Sequence, residues 1–108
     1  MADTGISPSF NSLVSWLSSK EKDPKQWCIG TEHEKFIYTL DEFAPVAYGG
    51  DKGIEAILHY LSDTYDMTPI MENGRYVALK TNEGASISLE PGGQLELSGN
   101  IVKTLHHS

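Results

Sequence analysis

The chain has 108 residues, of which 39% are hydrophobic and 21% are charged. This composition is typical of one small folded domain and excludes a disordered tail. The formal net charge is −7 and the pI is about 4.9, which argues against a nucleic-acid partner because phosphate backbones are bound by basic surfaces. The single cysteine, Cys28, excludes an internal disulfide.

Two helices are predicted from apolar residues at helical spacing. The first runs from about Pro8 to Lys20 with Ser7 as its N-cap, and the second from about Lys52 to Thr64 with Asp51 as its N-cap. Between them, a long strand is predicted from Gln26 to Thr39, followed by a loop rich in turn-forming residues.

Three short strands are predicted after Pro69, with the sequences GRYVALK, ASISLE and QLELS. TNEG suits a hairpin turn, and Pro91 followed by Gly92 suits a type II turn. The final residues, IVKTLHHS, are predicted to begin another helix, because Ile101 and Leu105 are four positions apart. We expect an α+β fold, an antiparallel sheet flanked by helices, in one partial domain over residues 1–108 that is cut from a longer chain.

The start of the chain, MADTGISPSF, lacks the basic region and apolar stretch of a signal peptide. No apolar run approaches the roughly 20 residues that a membrane-spanning helix needs. The sequence therefore predicts a cytoplasmic protein without a membrane partner.

Two acidic stretches stand out, IGTEHEKF and ISLEPGGQLELSG. Glu32 and Glu34 alternate along a strand, so they project from the same face about 6–7 Å apart. Glu90 and Glu96 flank a tight turn, and a shared sheet would bring all four glutamates to one face. Such a cluster needs a cation, and oxygen ligands favour Mg²⁺ or Mn²⁺. An E-x-E pattern is also common on solvated edge strands, so the pattern alone leaves both interpretations open.

These two stretches, with a Tyr-Gly-Gly loop before the second helix and TLH near the end, resemble one family. The chain is similar over residues 8–107 to the amino-terminal part of glutamate–cysteine ligase, of the type found in plants and many proteobacteria. The resemblance implies a glutamine synthetase-like catalytic domain, whose antiparallel sheet holds divalent metals, ATP and an amino acid. Members are several times longer, so the chain would be an amino-terminal fragment, inactive alone.

The resemblance implies ATP-dependent ligation of the glutamate γ-carboxylate to cysteine through an acyl phosphate. The product is γ-glutamylcysteine, and the reaction is the first step of glutathione biosynthesis. The implied metal ligands for Mg²⁺ or Mn²⁺ are Glu32, Glu34, Glu90 and Glu96. The residues implied to approach the glutamate substrate are Gly92, Gly93 and Gln94.

Arg75 and Lys80 are further candidates for anion binding, and no residue is predicted to contact adenine. Two alternatives to this function stay open. The chain could belong to a related carboxylate–amine ligase with another amine substrate, or it could be a non-catalytic module that binds a divalent cation or a partner. Binding of Mg²⁺ and ATP by the chain alone would favour the module.

Overall fold

The computed structural model describes residues 7–108. Its helices and strands are α1 (Phe10–Ser18), β1 (Glu32–Phe36), α2 (Ile54–Tyr65), β2 (Thr68–Glu72), β3 (Arg75–Lys80), β4 (Ser86–Glu90) and β5 (Gln94–Ser98). The five strands form one antiparallel sheet in the order β1-β5-β4-β3-β2. The predicted α+β class is confirmed.

Strand β2 lies where the sequence analysis predicted no strand. It pairs with β3 through a hairpin whose turn contains Asn73 and Gly74, with φ angles of 50° and 76°. Two consecutive residues with positive φ define a type I′ turn, and Asn-Gly is its preferred sequence. The turn signal was therefore present in MENGRY.

The strand predicted from Gln26 to Thr39 is much shorter in the structure. Residues Pro24–Gln26 form a 3₁₀ turn, and only Glu32–Phe36 join the sheet as β1. The flanking residues Ile29 and Tyr38 make isolated bridges instead. Pro24 and the turn formers after Tyr38 confine regular pairing to the middle of the predicted strand.

One predicted N-cap and one predicted helix are wrong. The N-cap of α1 is Ser9, whose hydroxyl accepts the Ser12 N–H at 3.1 Å, so Ser7 does not cap it. The helix predicted after Ile101 is absent from the described residues, because Val102 pairs with Ile29 and only the 3₁₀ turn Leu105–His107 follows. The backbone pairing of Val102 overrides the spacing of apolar residues.

Helix α2 covers one face of the sheet. Its residues Ile54 and Leu58 pack against Leu79 and Leu95, and all four side chains are buried. Leu95 lies between Gln94 and Glu96 along β5, and neighbouring strand residues point to opposite faces. Helix α2 therefore covers the face opposite to that of Glu96.

The loop before α2 caps the helix with backbone groups. The N–H of Ile54 donates to the Ala47 carbonyl and the N–H of Glu55 to the Tyr48 carbonyl, each at 2.9 Å. The N-cap is Gly53, so the prediction of Asp51 is wrong. A Cβ on Gly53 would lie 2.6 Å from the Tyr48 carbonyl oxygen and would overlap that of Gly49. Only glycine allows this close approach.

Arg75 ties β3 to this loop and to α2. Its guanidinium lies 2.5 Å from the Glu55 carboxylate and 4.8 Å from the centre of the Tyr48 ring. The Tyr48 hydroxyl donates to the Tyr76 carbonyl at 2.7 Å. Arg75, a candidate for anion binding, is thus engaged in an ion pair within the fold.

The ion pair predicts a specific pH dependence of stability. The hydrogen bond from Arg75, reinforced by its charge, lowers the pKa of Glu55 below its ordinary value of 4.5. A carboxylate whose pKa is lower in the folded state stabilises the fold above the unfolded pKa, and this stabilisation disappears as the pH falls through the folded pKa. The thermal midpoint of the unsubstituted protein should fall as the pH drops below about 4.5, and we expect a shallower fall for Glu55→Gln. The matched control Glu72→Gln should keep the unsubstituted slope, and parallel curves for all three proteins would contradict the assignment.

Much apolar surface remains uncovered in the described part of the chain. The radius of gyration is 19.2 Å, whereas a globular chain of this length has about 13 Å. Every residue of α1 is exposed, including the aromatic side chains of Phe10 and Trp16. Neither α1 nor α2 is long and apolar enough to cross a membrane.

Candidate metal and substrate site

The register of the sheet brings the predicted metal ligands to one face. Glu34 of β1 lies directly opposite Glu96 of β5, and Ser88 of β4 lies opposite Glu96 on the other side. Alternation along β1 and β4 adds Glu32 and Glu90 to the same face. We call this surface, which carries the four glutamates and lies opposite to α2, the carboxylate face.

Neighbouring positions on the carboxylate face are close in space. Residues directly opposite each other in an antiparallel pair have Cβ atoms about 4.5–5.5 Å apart. This spacing applies to Glu34 and Glu96, while Glu32 lies opposite Ser98 and Glu90 opposite Gln94. Glu32 and Glu34 are exposed, and Glu90 and Glu96 are half-buried. The backbone register therefore places all four glutamates on one face of the sheet, as predicted.

Lys80 lies on the same face but at a distance from the glutamates. The register places it opposite Ser86, which lies opposite Ser98, which in turn lies opposite Glu32. Two strands thus separate Lys80 from Glu32. Of the two candidates for anion binding, Lys80 lies on the carboxylate face, whereas Arg75 is paired with Glu55.

Three of the glutamates accept a hydrogen bond from a neutral side chain on the carboxylate face. The bonds run from Ser88 Oγ to Glu90 Oε1 at 2.7 Å, from Ser98 Oγ to Glu96 Oε1 at 2.8 Å, and from Gln94 Nε2 to Glu34 Oε2 at 3.1 Å. Neither serine is among the site residues predicted from the sequence. Their spacing of two residues from a glutamate on the same strand was the available signal, because that spacing places both side chains on one face.

The donor set fits a hard divalent cation, since it consists of carboxylate, hydroxyl and amide groups. The side chains themselves are not gathered around one point. Among residues 7–108, no three His, Cys, Asp or Glu side chains converge closely enough to hold an ion. The carboxylate face thus carries oxygen ligands of the right type, aligned on neighbouring strands. Three of the four carboxylate groups are hydrogen-bonded to serine or glutamine side chains.

The loop between Glu90 and Gln94 contains the two glycines predicted to approach the substrate. Gly92 has φ 79° and ψ 9°, the values at the third position of the predicted type II turn, and Gly93 has φ 78°. The loop borders an open cavity of about 440 Å³ that is also lined by Phe36. Phe36 lies two residues after Glu34 on the carboxylate face, and none of the four glutamates lines the cavity.

Residues 28–108, which include both acidic stretches, match the model of glutamate-cysteine ligase family 2. The chain belongs to this family. The resemblance noted in the sequence is thereby confirmed, and the open antiparallel sheet with two helices fits the glutamine synthetase-like domain that glutamate-cysteine ligase family 2 implies.

Similar members of the family are plant proteins. They include glutamate–cysteine ligase A, chloroplastic, of Oryza sativa subsp. japonica, which is 44% identical over 96 residues. Proteins named glutamate–cysteine ligase, chloroplastic, are 41% identical in Medicago truncatula and 38% identical in Arabidopsis thaliana over the same length. Each alignment covers 89% of this chain but only 18–19% of the relative. The chain thus spans less than a fifth of the length of these relatives.

Proposed function

We propose that this chain forms part of an ATP-dependent glutamate–cysteine ligase, as a single partial domain at the amino-terminal end of the catalytic domain. Family membership and the names of the plant relatives support the reaction. The structural observation that carries the proposal is the alignment of Glu34 with Glu96 on the face away from α2. Mg²⁺ in nucleotide sites is usually bound by one or two carboxylates together with substrate phosphates, which suits a pair of aligned carboxylates.

We further propose that Glu32, Glu34, Glu90 and Glu96 hold Mg²⁺ or Mn²⁺. When bound, the cation offsets the repulsion between the triphosphate of ATP and the carboxylate of the substrate. Gly92 and Gly93 lie beside Glu90, and the absence of a Cβ lets a substrate approach their backbone. We assign glutamate binding to these two glycines and to Gln94.

The proposed reaction has two steps. An oxygen of the glutamate γ-carboxylate attacks the γ-phosphorus of ATP, and ADP leaves, which gives an acyl phosphate. The amine of cysteine then attacks the acyl carbon, phosphate leaves, and the nitrogen loses a proton to give γ-glutamylcysteine, the first intermediate of glutathione biosynthesis. Phosphorylation is needed because a free carboxylate lacks a good leaving group.

We propose that residues 1–108 are inactive in isolation and need the remainder of the catalytic domain as their partner. The exposed apolar side chains and the radius of gyration of 19.2 Å support this requirement. The coverage of less than a fifth of the relatives agrees with it. A cytoplasmic location stays a prediction, since the names of the three plant relatives place those proteins in the chloroplast.

An assay of the complete protein that carries this chain tests the function. With ATP, glutamate, cysteine and Mg²⁺, we expect γ-glutamylcysteine and ADP in equal amounts, and no product after chelation of the metal. The isolated 108 residues should give no product. Equal turnover with another amine in place of cysteine would favour a related ligase. Metal binding by the complete protein without any amide product would favour the non-catalytic module and overturn the proposal.

A further inference from the structure

Ser88 and Ser98 make equivalent contacts on the carboxylate face. Each serine is half-buried, and each lies two residues from the glutamate that accepts its hydroxyl hydrogen bond. The distances of 2.7 and 2.8 Å are typical of a strong bond from a hydroxyl to a charged acceptor. In both pairs, the hydroxyl binds a single carboxylate oxygen, Oε1.

We propose that Ser88 and Ser98 are positioning residues, which hold Glu90 and Glu96 as single-oxygen ligands for a small divalent cation. The inference rests on the proposed function, because it takes the two glutamates as metal ligands. Each hydroxyl fixes the orientation of its carboxylate and leaves Oε2 for the metal. Groups that orient metal ligands in this way commonly contribute about 10–100-fold to metal affinity.

The arrangement also has a consequence for metal selectivity. Mg²⁺ requires octahedral geometry with short bonds, whereas Ca²⁺ has a flexible shell and accepts carboxylates through one or two oxygens. A carboxylate with one oxygen bonded to a serine disfavours two-oxygen binding. Ser88 and Ser98 therefore favour Mg²⁺ and Mn²⁺ over Ca²⁺.

Ser86 provides a matched control on the same strand and face. It is half-buried like Ser88 and lies two residues from it. Its neighbours across the sheet are Lys80 and Ser98, and its hydroxyl has no carboxylate partner among the described residues. Loss of the Ser86 hydroxyl changes the strand in the same way without removing a hydrogen bond to a glutamate.

The test measures binding of Mn²⁺, by the spectroscopic signal of the free ion, and of competing Ca²⁺ to the complete protein. We expect Ser88→Ala and Ser98→Ala each to weaken Mn²⁺ binding about tenfold and to weaken Ca²⁺ binding much less. Ser88→Thr and Ser98→Thr keep the hydroxyl and should bind both ions like the unsubstituted protein. Ser86→Ala should also bind like the unsubstituted protein, and thermal midpoints verify that each variant is folded.

Three outcomes would overturn the inference. Unaltered Mn²⁺ binding in both alanine variants would show that the hydroxyls do not position the ligands. Threonine variants as weak as the alanine variants would assign the effect to packing. In either case the proposed metal site would stand, because the unsubstituted protein would still bind Mn²⁺, and the assay of γ-glutamylcysteine formation tests the reaction separately. Absence of Mn²⁺ binding by the unsubstituted protein would overturn the proposed function together with this inference.

Discussion

Glu34→Gln should reduce the proposed ligase activity of the complete protein at least about 100-fold and leave its thermal midpoint nearly unchanged. The substitution removes one negative charge at almost constant volume. Glu34 is exposed and lies opposite Glu96, so the fold loses no buried contact and gains relief from repulsion between like charges. Loss of a direct metal ligand, the role proposed for Glu34, should reduce activity at least as much as loss of a group that orients a ligand, for which about 10–100-fold is common.

Two measurements check this expectation: the rate of γ-glutamylcysteine formation at saturating Mg²⁺, and the affinity for Mn²⁺. Both should fall in Glu34→Gln. The control is Glu72→Gln, which removes the same charge from the end of β2 at the other edge of the sheet. It should keep the unsubstituted rate and affinity. An unaltered rate in Glu34→Gln would show that the metal assignment is wrong.

Gly53→Ala should have the largest effect on stability, a loss of about 2–3 kcal/mol in the free energy of unfolding, as is typical of overpacked sites. The new methyl group would be forced against the carbonyl oxygens of Tyr48 and Gly49. Both belong to the loop whose backbone is hydrogen-bonded to the start of α2, and backbone atoms cannot move aside as a flexible side chain can. The strain would therefore displace the helix that covers the core.

Denaturant unfolding of the complete protein measures this loss, and Gly30→Ala is the control. Gly30 is exposed, and a Cβ built there meets no atom within 4 Å. Its substitution should change the free energy of unfolding by less than about 0.5 kcal/mol, as is usual for surface positions. Equal stability of the two variants would mean that the loop before α2 is not tightly packed.

The sequence predicted the elements whose signals are local. The apolar stripe of α2 and the glycine-rich turn after Glu90 were identified because each depends on a few neighbouring residues. Strand β1 was predicted too long, and a helix was predicted where Val102 pairs with Ile29, because these outcomes depend on distant segments of the chain. The Asn73-Gly74 turn between β2 and β3 is also a local signal, and it accounts for the strand β2 that is absent from the predicted elements.

For the candidate site, the sequence predicted which side chains share a face of the sheet, but not which of them lie next to each other. Alternation along each strand correctly placed Glu32 with Glu34, and the resemblance linked them to Glu96. The register that sets Glu34 opposite Glu96, and Ser88 opposite Glu96 on the other side, arises from pairing between separate strands. A shift of one residue would have moved these side chains to the other face, and the sequence alone does not fix that shift.

The order of strands in the sheet has a consequence for how the protein folds. Strands β2 to β5 pair with their neighbours along the chain through short turns. Strand β1 pairs with β5, although α2 and three strands separate the two in the sequence. Closure of a long loop is entropically costly, so we expect the four-strand meander to form first and β1 to dock last. A ligand held by both Glu34 and Glu96 would stabilise that final pairing by mass action, so the carboxylate face and the last step of folding share one edge of the sheet.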